Sequence, residues 1–179
     1  TGKELWKLSG NSEITIPTPI VGPGFVVVTN GYRGVQPIFA IKPGASGDIT
    51  LKDGQTKSDA IAWSSNRGGP YIPTPVIYGD QLYILQNNGV LAAYTVATGE
   101  RIYQQRLGDG GAFSASPVAA DGKIYCSSED GDVYVVKSGT AFELLAKNSF
   151  GEVLMATPAV SDGLIIFRGS KNVYAIRAR

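Results

Sequence analysis

Apolar residues in this chain come in short runs, three to six long, each cut off by a polar pair or triple that carries glycine. Within the runs β-branched and aromatic side chains predominate, which predicts strands joined by tight turns. The clearest stretch reads Val118-Ala119-Ala120, the turn Asp121-Gly122, Lys123 to Ser127, the turn Glu129-Asp130-Gly131-Asp132, then Val133 to Val136. Asp-Gly supplies the positive φ that a tight hairpin turn requires. The same order recurs from Pro75 through Gly79-Asp80 and Asn87-Asn88-Gly89 to Tyr94, and from Pro158 through Asp162-Gly163 to Ile176. No helical period is apparent.

These stretches are copies of one unit. A small hydroxyl residue followed by proline stands at Thr18-Pro19, Thr74-Pro75, Ser116-Pro117 and Thr157-Pro158, at intervals of 56, 42 and 41 residues. A period of about 40 to 45 residues with four strands per copy is the size of a propeller blade. The long first interval holds an insertion, residues 43–59, rich in Gly, Lys, Asp and Ser, before Ala60-Ile61-Ala62-Trp63 resumes the outer strand. Its polarity predicts a surface loop, read as a linker or as a partner-contacting segment. The outer strands carry a large residue at one position: Trp63, Tyr103 and Leu145. The fourth copy lacks that strand, and Trp6 fits the vacancy. The expected organisation is one domain over 1–179, with an outer strand at 1–10 completing a blade. Blades follow at 11–66, 67–108 and 109–150, and a blade without its outer strand at 151–179.

Composition narrows the function classes. Sixteen basic and fifteen acidic residues give a net charge of +1, and no run of one sign offers itself to nucleic acid or to an anionic bilayer. No apolar stretch reaches the roughly 20 residues of a membrane span. Thr1-Gly2-Lys3-Glu4 resembles neither a signal peptide nor a natural start, so a processed chain or a fragment is expected. The chain has no histidine, which removes the commonest general base and metal ligand. Its one cysteine, Cys126, sits in an apolar strand pattern and is expected to be a core residue.

One motif links these copies to a family. Ala93, Thr98, Gly99 and Tyr103 match a tryptophan-docking pattern of Ala, an acidic or amide residue two later, Thr-Gly, and Trp four after the glycine, with Thr95 at the acidic place. The pattern is also split across the termini, where Ala175 to Arg179 leads in register to Thr1, Gly2 and Trp6, with Arg177 at the acidic place. A chain cut inside its repeat closes on itself, borrows from a second copy, or belongs to something longer. Ser138-Gly139 is a degenerate version. The whole chain thus resembles the quinoprotein-type (PQQ-binding-like) repeats, and Asp48-Ile49-Thr50 and Ala156-Thr157-Pro158-Ala159 resemble the last blades of exported bacterial propeller proteins. The resemblance implies an all-β propeller of four-stranded antiparallel blades, with Trp6, Trp63, Tyr103, Gly2 and Gly99 as docking residues and an extracytoplasmic location, periplasmic or secreted.

The resemblance leaves two functions open. One is a non-catalytic module for protein or polymer interaction, similar to the scaffold lipoprotein of the outer-membrane β-barrel assembly machinery, with a protein partner or a second copy completing the ring. The alternative is part of a quinoprotein dehydrogenase, or a descendant of one, holding PQQ with calcium on the propeller axis. The adjacent-cysteine disulfide of those enzymes has no counterpart here, and Asp130-Gly131-Asp132 lacks the further ligands of a calcium loop. No catalytic or metal-binding residue is therefore assigned. In such folds the loops before each hydroxyl anchor crowd one axial rim. Arg67, Tyr71, Asp109, Phe113 and Glu152 are the candidate ligand contacts there, weighed against packing between blades. Gly68-Gly69 and Gly110-Gly111 read as turns toward the axis, not as a phosphate cradle, because no helix follows.

Overall fold

The computed structural model describes residues 1–177, and every regular element in it is a strand. A short β1 (Trp6–Lys7) precedes the first blade, formed by β2 (Ile20–Gly22), β3 (Phe25–Thr29), β4 (Ile38–Ile41) and β6 (Ile61–Ser65). Between the last two lies β5 (Gly47–Asp48), inside the insertion. The second blade comprises β7 (Val76–Tyr78), β8 (Gln81–Leu85), β9 (Val90–Thr95) and β10 (Arg101–Arg106). The third is built of β11 (Val118–Ala120), β12 (Lys123–Ser127), β13 (Asp132–Lys137) and β14 (Leu144–Ser149). The fourth has three strands, β15 (Ala159–Ser161), β16 (Leu164–Arg168) and β17 (Val173–Arg177). All pairings within the blades are antiparallel. These are the blades of a β-propeller.

Apolar residues from facing blades form the core. Val27, Ile38, Ala40 and Trp63 of the first blade meet Leu82, Ile84, Ala92 and Tyr94 of the second. Tyr83, Leu85 and Leu91 meet Ile124, Cys126 and Tyr134 of the third, and Val133 and Val135 meet Phe167 of the fourth. A middle blade is covered on both faces, so β9 is apolar almost throughout instead of alternating. Cys126 is fully buried, and desolvation pushes its thiol up to about 12. The fourth blade carries no such cover on its far side: β15 is exposed along its length, and so is most of β17.

The hydroxyl anchors stitch the inner strands together. Thr18 N–H donates to Thr74 Oγ1 at 3.0 Å, Thr74 N–H to Ser116 Oγ at 2.9 Å, and Ser116 N–H to Thr157 Oγ1 at 3.2 Å. Thr74 and Ser116 each donate to the next blade and accept from the previous one, while Thr18 donates and Thr157 accepts, which is why the hydroxyl recurs at the repeat interval. The proline after it lacks an N–H and opens the innermost strand.

The first ten residues do not complete the fourth blade. β1 pairs in parallel with β5, with Trp6 opposite Gly47 and Lys7 opposite Asp48. Gly47 N–H donates to Leu5 O (2.9 Å), Ile49 N–H to Lys7 O (3.0 Å), and Ser9 N–H to Thr50 Oγ1 (3.0 Å). Trp6 packs on Phe39, Ile41, Ile49 and Ile61, on the outer side of the first blade. Part of the insertion is therefore a clasp for the N-terminal segment, and its buried Ile49 is what the polar composition concealed. Gly2, at φ 69°, has nothing among the described residues within 4 Å of where a Cβ would sit. Ala178 and Arg179 of the split pattern lie outside the described residues.

Candidate functional site

In an antiparallel four-stranded blade, the connection from one blade to the next and the turn between second and third strands emerge on the same face. That topology gathers all five candidate contacts on one rim. At each junction a polar residue after the second strand ties down the incoming loop. Asn30 Oδ1 accepts from Ser12 N–H at 2.7 Å. Asn87 Oδ1 accepts from the N–H groups of Tyr71 (3.2 Å) and Ile72 (3.1 Å), and its Nδ2 donates to Phe113 O at 3.0 Å. In the third blade the Ser114 hydroxyl donates to Glu129.

The five residues separate into different roles. Phe113 is buried between the second and third blades, its ring centroid 5.9 Å from that of Tyr134, so it is a packing residue and not a ligand contact. The Glu152 carboxylate accepts from Lys171 N–H (2.6 Å), Asn172 Nδ2 (2.9 Å), Ser170 Oγ (3.2 Å) and the Tyr174 hydroxyl. These bonds, Tyr174 first and Asn172 next, hold its pKa down at about 2. Glu152 therefore fastens the β16–β17 turn, and its acceptor sites are taken within the chain. Arg67 and Asp109 lie exposed on the rim. Tyr71 lines a cavity.

That cavity lies between the first two blades and has a volume of about 160 Å³, lined by Gln36, Gly69, Tyr71, Gln86, Asn87 and Asn88. It exists because two backbones cross closely. A Cβ on Gly69 would collide with Asn30 O and lie 2.5 Å from Pro37 O, and Gly69 N–H donates to Gln36 O at 2.9 Å. The crossing brings Tyr71, two residues on, beside Tyr32, with ring centroids 5.2 Å apart and planes inclined by 32°. The Arg33 guanidinium lies 5.1 Å from the Tyr32 centroid. Sequence reading missed Tyr32, Gln36 and Gln86, because they belong to turns within blades and not to the loops before the anchors.

Away from the rim, Trp63 lies over Gly99 and its indole N–H donates to Val96 O at 2.7 Å. Tyr103 occupies the corresponding place one blade on, with its ring edge-on to Phe142 at 5.7 Å. Its buried hydroxyl has no partner among the described residues, and desolvation raises its pKa.

The match between this repeat and known proteins is extensive. A family model described as "Outer membrane protein assembly factor BamB" matches residues 1–179. The chain belongs to that family. A stretch of 65 residues is 35% identical to BamB of Escherichia coli strain K12, covering 36% of this chain and 16% of that protein. The crystal structure of BamB from Moraxella catarrhalis superposes with a TM-score of 0.63 at 16% identity, over 86% of this chain and 42% of that one. The quinohemoprotein alcohol dehydrogenase ADHIIG from Pseudomonas putida HK5 is similar in fold, with a TM-score of 0.66 at 12% identity over 91% of this chain and 29% of that one. This chain thus spans less than half of the BamB proteins it matches.

Proposed function

We propose that this BamB-family chain is a non-catalytic interaction module of an exported bacterial protein, acting outside the cytoplasm as a scaffold for a protein or polymer partner. The carrying observation is the fate of its reactive groups. The single thiol is sealed in the core, the rim carboxylate of Glu152 is hydrogen-bonded within its own hairpin, and the sequence has no histidine. Surface is what remains for function. Among the described residues no strand pairs with the outer edge of β17, where Val173 and Ile176 are exposed, and such an edge suits strand addition by a partner or by a second copy. The alternative is a quinone with calcium; among the described residues no three Asp, Glu, Cys or His side chains come together. No helix among them is long and apolar enough to cross a membrane.

The test is photo-crosslinking from position 173 in a periplasmic extract, alongside thermal unfolding with added quinone and calcium. A discrete protein adduct that disappears in Ile176→Asp supports the module. A rise in unfolding midpoint with quinone and calcium, together with no adduct, refutes it, because a ligand of the native state stabilises that state.

A further inference from the structure

We infer that the notch between the first and second blades is a saccharide-binding subsite that seats one pyranose ring against Tyr71. The inference rests on the interaction-module reading and names one ligand class for it. Three features of the notch converge on hydroxyl-rich rings.

The first is an aromatic wall held in place from behind. Tyr71 packs against Tyr32 on one side, so its motion is restricted, while it also lines the cavity. The axial C–H groups of a pyranose form an apolar face that suits such a ring. The second feature is the amide set. Gln36, Gln86 and Asn88 line the notch, and among the described residues neither glutamine side chain has a partner in the chain. An amide both donates and accepts, as does a sugar hydroxyl, so adjacent hydroxyls on one ring are matched without any charge. The volume of about 160 Å³ is on the scale of a single sugar ring.

The third feature is a strained turn. Among the described residues three non-glycine residues have positive φ: Arg33 at 48°, Asp121 at 48° and Asp162 at 49°. The two aspartates form the usual Asp-Gly turns. Arg33-Gly34 places in the same conformation a residue that gains no local side-chain hydrogen bond from it. What it gains is the guanidinium over Tyr32. The turn thus holds a guanidinium against the Tyr32 ring that packs on Tyr71, which steadies the aromatic wall of the notch.

A single shallow subsite predicts affinity of millimolar order. The experiment is saturation-transfer difference NMR on the full chain with methyl glucoside, N-acetylglucosamine and glucuronate, each at 20 mM or about that level, a concentration set by the expected affinity. Saturation transfer to the ring C–H protons is expected for each of the three sugars, and reduced about fivefold or more in Tyr71→Ala and in Gln86→Ala. Far-UV circular dichroism and the unfolding midpoint of each variant verify the fold. Absence of transfer from the folded wild-type chain to all three sugars overturns the proposal, as does equal transfer to wild type and a folded Tyr71→Ala. Neither result touches the β17 edge, so a crosslinked partner at position 173 leaves the module reading intact while the saccharide site falls.

Discussion

Replacing Gly99 by alanine tests how the blades are fastened. Gly99 has φ 72°, and a Cβ there would lie 2.5 Å from Trp63 Cε3, 3.0 Å from Cε2 and in collision with Cδ2. The left-handed conformation by itself costs an alanine about 1–2 kcal/mol. Restoring a normal carbon–carbon contact near ~3.5 Å moves the indole by roughly 1 Å. That shift takes the 2.7 Å bond from Trp63 Nε1 to Val96 O out of hydrogen-bonding range. A buried acceptor left unsatisfied adds about 1–3 kcal/mol. The sum is roughly 2–5 kcal/mol, or a fall of about 4–20 °C in unfolding midpoint for a chain of this size. Gly24→Ala is the matched control, because Gly24 has φ 78° and nothing within 4 Å of the new methyl. It carries the backbone strain alone, about 1–2 kcal/mol. Thermal and urea unfolding of both variants, repeated in a Trp63→Leu background, form a double-mutant cycle. With the indole gone, the two substitutions are expected to cost the same. Equal costs already in the wild-type background would refute the seating of Trp63 on Gly99.

Three further outcomes follow from the same geometry. The Glu152 pKa is depressed from 4.5 to about 2, so its contribution to stability is fully present above pH 4.5 or so and is lost as pH falls toward 2. The midpoint gap between wild type and Glu152→Gln is therefore constant near neutrality and closes across that acidic window; a gap that widens on acidification contradicts the assignment. Tyr103→Phe removes a buried hydroxyl with no partner and is expected to be neutral or to stabilise by up to about 1 kcal/mol in urea unfolding, whereas a clear loss would reveal a bond that the geometry lacks. Trp6→Ala opens the clasp, accelerating hydrogen exchange at the amides of Gly47 and Ile49 while those of β8 and β9 keep their protection; unchanged exchange at Gly47 and Ile49 removes β1 as their protector.

Much of the architecture is legible in the chain because it is written locally. Strand length, turn position and repeat interval all depend on residues within a few places of one another, so Asp121-Gly122 and the Val133 to Val136 run announce their hairpin without reference to anything distant. The hydroxyl anchors recur at a fixed interval because each serves the same bond at every junction. The site was legible only in part. Tyr71 was marked by its place before an anchor, but so was Phe113, and the chain carries no local sign that one lines a notch while the other is sealed against Tyr134.

What the sequence determined was the blade: four copies, their antiparallel hairpins, the sealed cysteine pattern and the absence of a histidine-based site. The tertiary structure decided how the blades stack and what that stacking brings together. It set Tyr32 beside Tyr71 through the Gly69 crossing, drew the Glu152 carboxylate into its own hairpin, and sent Trp6 to the insertion beside the first blade instead of to the fourth. Those outcomes turn on contacts between segments about twenty to forty residues apart, where small differences in backbone approach choose the partner, and no local pattern of residues encodes them.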